Sequence, residues 1–71
     1  MMSSSDTVKK VRIALNLNQT DLAGKLNLSK TAIYNYERGA RRPNFDVIKR
    51  IKTLANENGV EISIDDFLNK G

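Results

Sequence analysis

Between Gln19 and Tyr36 two short apolar stripes meet at a single turn residue, which leaves few ways to fold. Leu22, Ala23 and Leu26 recur at helical spacing behind Asn18, a residue type that caps helix starts by accepting a backbone N–H. Asp21 falls in the first turn, where a negative charge suits the positive end of the helix dipole. Asn27 stands where a tight stop needs positive φ, a conformation that asparagine adopts more readily than other non-glycine residues. Ser29 then caps a second helix with Ala32, Ile33 and Tyr36 inward and Leu28 packing just ahead of it. Ala23 is small enough for the two helices to approach closely. The side chains left outward on the second helix are Lys30, Thr31, Tyr34 and Asn35.

The rest of the chain reads as a scaffold for this pair. Asp6 is a candidate N-cap for a first helix in which Val8, Val11 and Leu15 share one face, and Asn16 breaks it. Gly39 stops the third helix, and Pro43 disfavours helical geometry at Arg42, so Ala40-Arg41-Arg42-Pro43 is a loop. Asn44 caps a fourth helix that carries Phe45, Val47, Ile48, Ile51, Leu54 and Ala55 inward, with Lys49, Arg50 and Lys52 on its wet side. Asn56 to Gly59 is a stop. Ser63 with Asp66 resembles a capping box for a last short helix bearing Phe67 and Leu68. Val60, Ile62 and Ile64 alternate with polar residues, a pattern compatible with a short strand, with closing the core, or with a subunit interface. The expectation is an all-α, compact five-helix domain over residues 6–70 behind a disordered lead of residues 1–5.

Composition narrows the chemistry. A chain of 71 residues builds one small core and no second domain, and such a core does not also wall off a deep reaction site. With no cysteine and no histidine, disulfide frameworks, zinc fingers and histidine-based catalysis are excluded. Neither a membrane-spanning run nor a signal peptide is visible, which leads to the expectation of a cytoplasmic product. No catalytic residue, metal site or cofactor is expected, and Asp65-Asp66 reads as a helix start rather than a carboxylate dyad. The net charge of +4 is unevenly placed: residues 1–52 hold eleven Lys/Arg against four acids, and residues 53–71 hold one lysine against four acids. The basic part points to a polyanionic partner.

Two helices at a near right angle across a turn of ~3–4 residues leave the outer face of the second free to enter a groove ~12 Å wide, the width of the DNA major groove. Lys30 has the donors for guanine O6 and N7, Asn35 for adenine or a phosphate, and the Thr31 methyl suits a thymine methyl. The motifs Val8-x-x-Val11-Arg12, Leu17-Asn18-Gln19-x-x-Leu22-Ala23, Ile33-x-x-Tyr36-Glu37-x-Gly39-x-x-x-Pro43 and Asp65-Asp66-Phe67-Leu68 resemble those of the Cro/cI-type helix-turn-helix regulators. The departures are Asn27, where that family usually has glycine, and Ile13, at a position usually polar.

The resemblance implies a lambda-repressor-like fold with the helix-turn-helix at helices 2 and 3. It implies base-reading by Lys30, Thr31, Tyr34 and Asn35. Gln19 would hold the DNA backbone and brace the recognition helix, and Ser29, Arg38, Arg41, Arg42 and Asn44 would supply further backbone contacts. Arg12 and Glu37 match an internal ion pair. Lys9, Lys10, Lys49, Arg50 and Lys52 are read as solubilising surface.

The expected partner is a double-stranded DNA operator, with no membrane and no small-molecule ligand. Because one helix touches few bases, a homodimer is expected, its interface drawn from Val60, Ile62, Ile64 and Phe67 after Asn56. With no effector domain in view, repression by occupying the operator is the leading function. The alternative is an antitoxin or restriction-modification controller that binds a partner protein and regulates its own promoter. No toxin-binding tail is visible to favour it.

Overall fold

The computed structural model describes residues 4–67, which form four α-helices and a closing 3₁₀ turn. These are α1 (Ser4–Ala14), α2 (Gln19–Leu26), α3 (Lys30–Glu37), α4 (Phe45–Glu57) and the 3₁₀ turn Ile64–Phe67. The all-α expectation holds, but the count of five helices does not, since the last element is a single 3₁₀ turn. Ser63 begins that turn. Its backbone N–H donates to Asp66 Oδ2 at 2.9 Å, which is the backward half of a capping box. Leu68, expected in the same element, lies outside the described residues. Residues 60–63 form no strand, because the chain there passes over the core without a partner strand. Helix α1 starts earlier than expected: Ser4 and Ser5 belong to its first turn, Ser4 is buried, and Asp6 lies within that turn instead of capping it. Two residues of the expected disordered lead are thus helical, and residues 1–3 lie outside the described part.

Each helix end is written in local chemistry. Asn18, Ser29 and Asn44 all have extended backbone, and each side-chain oxygen accepts the N–H three residues on, from Asp21, Ala32 and Val47. At the other ends, the chain turns through a left-handed residue at Asn16, Asn27, Gly39 and Gly59. Behind each, a backbone N–H reaches back five residues to a helix carbonyl: Leu17 to Arg12, Leu28 to Ala23, Ala40 to Asn35 and Val60 to Ala55. Asn27, with φ 57° and ψ 44°, therefore occupies the conformation expected of it. An eight-residue helix is too short to persist on its own, so these caps set where α2 and α3 begin and end.

The core is drawn from every element: Val8 and Val11 of α1, Leu22, Ala23 and Leu26 of α2, Ile33 and Tyr36 of α3, Val47, Ile48, Ile51 and Ala55 of α4, with Ile62 and Phe67. Helix α1 packs on α3 and the 3₁₀ turn, and α2 lies between α3 and α4. Thr7 is fully buried and its hydroxyl donates to the Asp66 carbonyl at 2.7 Å, tying the first helix to the last turn. Phe45 departs from expectation. It is 61% exposed, with the Lys49 ammonium 5.4 Å from its ring centre, because it stands at the first position of α4 where no facing layer covers it. Leu54 is only half-buried. Arg50, expected as free surface, donates to the Leu26 carbonyl at 3.1 Å and pairs with Asp46 at 3.0 Å, placing a cation at the negative end of α2.

One polar contact joins three helices. Glu37, at the end of α3, accepts from Arg12 Nε at 2.7 Å and Arg12 Nη2 at 3.1 Å, and from Gln19 Nε2 at 3.3 Å. Its side chain is 6% exposed and that of Arg12 18%. Arg12 also donates from Nη1 to the Leu17 carbonyl at 3.1 Å. Removing one member of such a pair leaves a charge out of water without its partner, a far larger loss than deleting both. Glu37→Met or Arg12→Met alone is expected to lower unfolding stability by about 2–4 kcal/mol, and the two together by clearly less than the sum. Urea denaturation of the unaltered chain, both single variants and the double variant tests this; a double substitution as damaging as the sum of two singles means that the pair is not coupled.

Candidate nucleic-acid interface

Helix α3 is divided lengthwise. Ile33 and Tyr36 are buried, Ala32 and Glu37 half-buried, and Lys30, Thr31 and Tyr34 exposed. The division follows from helical spacing: once Ile33 and Tyr36 are committed to the core, positions 30, 31 and 34 point away from it. Tyr34 is 52% exposed, unusual for so large a ring and distinct from the core role of Tyr36, which is 6% exposed. Asn35 is half-buried at the edge of this face, and its carbonyl accepts from the backbone N–H of Ala40 at 3.0 Å and of Arg41 at 3.3 Å. Those two bonds hold the loop carrying Arg41 and Arg42 against the last turn of α3. Both arginines are exposed, and Pro43 next to them is buried.

The start of α2 forms the second part of the surface. A notch of about 350 Å³ is lined by Arg12, Asn18, Gln19, Thr20 and Lys30. The first backbone N–H groups of a helix have no intrahelical acceptor; at the start of α2 that of Asp21 is taken by Asn18, and Lys30 and the Glu37-paired Arg12 flank the notch. Gln19 is half-buried, with its amide nitrogen on Glu37 and its carbonyl oxygen not used in that bond. Asn18, read in the sequence only as a cap, and Thr20, which no sequence motif singles out, are exposed and line this notch as well. Their position before and after Gln19 was the available signal.

Among the expected backbone contacts, Ser29 and Asn44 are exposed but are also engaged as N-caps, so each presents its helix start as well as its side chain. Arg38, at the end of α3, lies with its guanidinium carbon 5.5 Å from the centre of the Tyr34 ring. The four residues expected at a subunit interface divide. Ile62 and Phe67 are 8% and 1% exposed in the core of this chain, whereas Val60 and Ile64 are half-buried against it. The first pair is taken up by the fold because α1 and α4 leave a gap that the segment after Gly59 fills. Ile13 is 60% exposed, an apolar residue in water.

The Asp66 carboxylate accepts from Ser63 and is part of a turn. Among the described residues, no group of three or more acidic, histidine or cysteine side chains is arranged to hold a metal ion, and no helix is long and apolar enough to cross a membrane.

Comparison with known proteins agrees with this geometry. Residues 8–64 match the family described as helix-turn-helix. An uncharacterized HTH-type transcriptional regulator of Archaeoglobus fulgidus is 38% identical over 64 residues, which are 84% of this chain and 28% of that protein. The uncharacterized HTH-type transcriptional regulator YqaE of Bacillus subtilis is 37% identical over 68 residues, 94% of this chain and 53% of that protein. The chain thus spans about half the length of one of these relatives, and less of the other. No solved structure matches it. The matched region takes in α2, the turn at Asn27 and α3 together with the helices that support them, and the chain belongs to the helix-turn-helix family of Cro/cI-type regulators.

Proposed function

We propose that this chain is a sequence-specific reader of double-stranded DNA that regulates transcription, acting as a repressor by occupying its operator as a homodimer. The observation that carries the reading is the division of α3: Lys30, Thr31 and Tyr34 face water on a helix whose opposite side is anchored by Ile33, Tyr36 and the Glu37 pair. A helix held from behind and polar in front is what base readout in the major groove requires. Lys30, Thr31, Tyr34 and Asn35 read bases. Gln19, Ser29, Arg38, Arg41, Arg42 and Asn44 hold phosphates, and Thr20 joins them beside the notch.

The homodimer follows from length. Eight helical residues extend about 12 Å, enough to lie along only a few base pairs. A two-fold pair of such helices reads two half-sites about 34 Å apart. Among the described residues after Asn56, Val60 and Ile64 are the apolar side chains with surface left for a second copy.

Selection of bound sites from a random duplex pool is expected to enrich an inverted repeat with half-sites about one helical turn apart; enrichment of a single unrepeated site would overturn the dimer, and no enrichment would overturn sequence-specific reading. Arg41→Ala with Arg42→Ala should weaken binding on every sequence and reduce the slope of log affinity against log salt by ~0.9 for each phosphate no longer neutralised. An unchanged slope in a salt titration refutes a phosphate-holding role for the two arginines. Lys30→Ala or Asn35→Ala should instead cost ~1–3 kcal/mol on the selected site and relax the choice of base there. Equal reductions on selected and random duplexes would mean that neither residue reads sequence.

A further inference from the structure

The contact between Arg38 and Tyr34 lies outside the core, since both side chains are exposed. Lys30, Tyr34 and Arg38 follow at intervals of four residues and form one ridge along α3, ending where the helix does. Arg38 is the C-cap, and its backbone N–H still donates to the Tyr34 carbonyl at 3.0 Å. A side chain at the end of a helix lies back over the turn before it, which brings this guanidinium to 5.5 Å from the ring centre. The neighbouring acid offers no competition: Glu37 faces inward and is occupied by Arg12 and Gln19. Among the described residues Arg38 makes no ion pair, and the ring is what its side chain meets.

We propose that Arg38 is a positioning residue for base readout, setting the ring of Tyr34 against the base pair it contacts while its own N–H groups hold a phosphate. The inference rests on the DNA-reading function proposed above. A guanidinium lying over an aromatic face is attracted by the ring's electron-rich surface and keeps its in-plane donors free. The stack thus serves two partners at once. A phosphate on the donors fixes the guanidinium, and the guanidinium limits the orientations open to the tyrosine before it reaches a base. Sequence choice at the base pair under Tyr34 then depends on Arg38, although Arg38 itself touches only the backbone.

The test uses the operator selected by the unaltered chain and the set of duplexes that change it one base pair at a time. Binding is measured for the unaltered chain, Arg38→Ala, Tyr34→Ala and the double variant, with circular dichroism as the folding control; both positions are exposed, so the helix content should not change. Tyr34→Ala should lower discrimination at one base pair, leaving what its neighbours on α3 supply. Arg38→Ala should weaken discrimination at that same base pair by roughly two- to fivefold, the strength of an exposed cation–aromatic contact, besides lowering affinity everywhere. In the double variant discrimination there should fall no further than in Tyr34→Ala. If Arg38→Ala lowers affinity equally on all duplexes and leaves base choice intact, Arg38 is a phosphate contact alone and the proposal fails. If the two reductions in discrimination simply add, the side chains act independently and it fails as well. Should the unaltered chain select no operator at all, the DNA-reading function falls first, an outcome separate from either of these.

Discussion

Glu37 is nearly buried in a domain with little interior to spare, and it is tolerated because three donors from two other helices converge on it. The contact takes one group from the end of α1, one from the start of α2 and one from the end of α3. Apolar side chains resist separation but allow sliding, because dispersion and burial have no preferred direction. A bidentate guanidinium–carboxylate pair does have one. Ile33 and Tyr36 thus keep α3 against the body of the protein, and Arg12 with Gln19 defines how it is turned. For the base-reading role proposed for α3, orientation matters as much as attachment.

The remaining precision comes from helix ends. Helices of eight residues hold too few internal hydrogen bonds to repay their nucleation, so α2 and α3 exist only within the fold. Their boundaries are nevertheless definite, because each begins at a side-chain cap and ends at a left-handed residue. A shift of one residue in either boundary would turn the helix by about 100°, moving Lys30, Thr31 and Tyr34 off the outer face. The caps therefore shape the proposed recognition surface through the helix boundaries they set, apart from any contact they make outside the chain. Asn18 and Ser29 illustrate this most directly, since each starts a helix and stands at the candidate interface.

What was legible in the sequence follows the same division between local and distant causes. Asn18, Asn27, Ser29, Gly39 and Asn44 act through neighbours three to five residues away, so their residue types alone placed α2, α3 and the start of α4. Periodicity identified the inner faces, and the resemblance to known regulators supplied the Arg12–Glu37 pair. Phe45 was misread because periodicity names a face without saying how far the opposing layer extends. Arg50 is at the surface as the sequence suggests, but its acceptor, the Leu26 carbonyl, is 24 positions away and no pattern in a linear chain announces it. In the segment after Gly59 the alternation of residues is compatible with strand, core or interface for a similar reason. Only the packed arrangement shows Ile62 and Phe67 filling the space between α1 and α4, and Thr7 tied to the turn beyond them.

The placement of charge completes the physical picture. The eleven cations of residues 1–52 are not equivalent. Arg12 is consumed by Glu37, and Arg50 by Asp46 and the end of α2. Lys49 lies over Phe45. Lys30, Arg38, Arg41 and Arg42 are on or beside α3, all four are exposed, and none of them makes an ion pair among the described residues. Bringing like charges together on one side of a small domain costs repulsion, which mobile counterions relieve in solution. A polyanion in that position relieves it more fully and releases its own counterions in doing so. Among the described residues Arg12 and Arg50 are the cations held in ion pairs, and of those left without one, Lys30, Arg38, Arg41 and Arg42 stand where the proposed function would use them for sequence-independent attraction to a phosphate backbone.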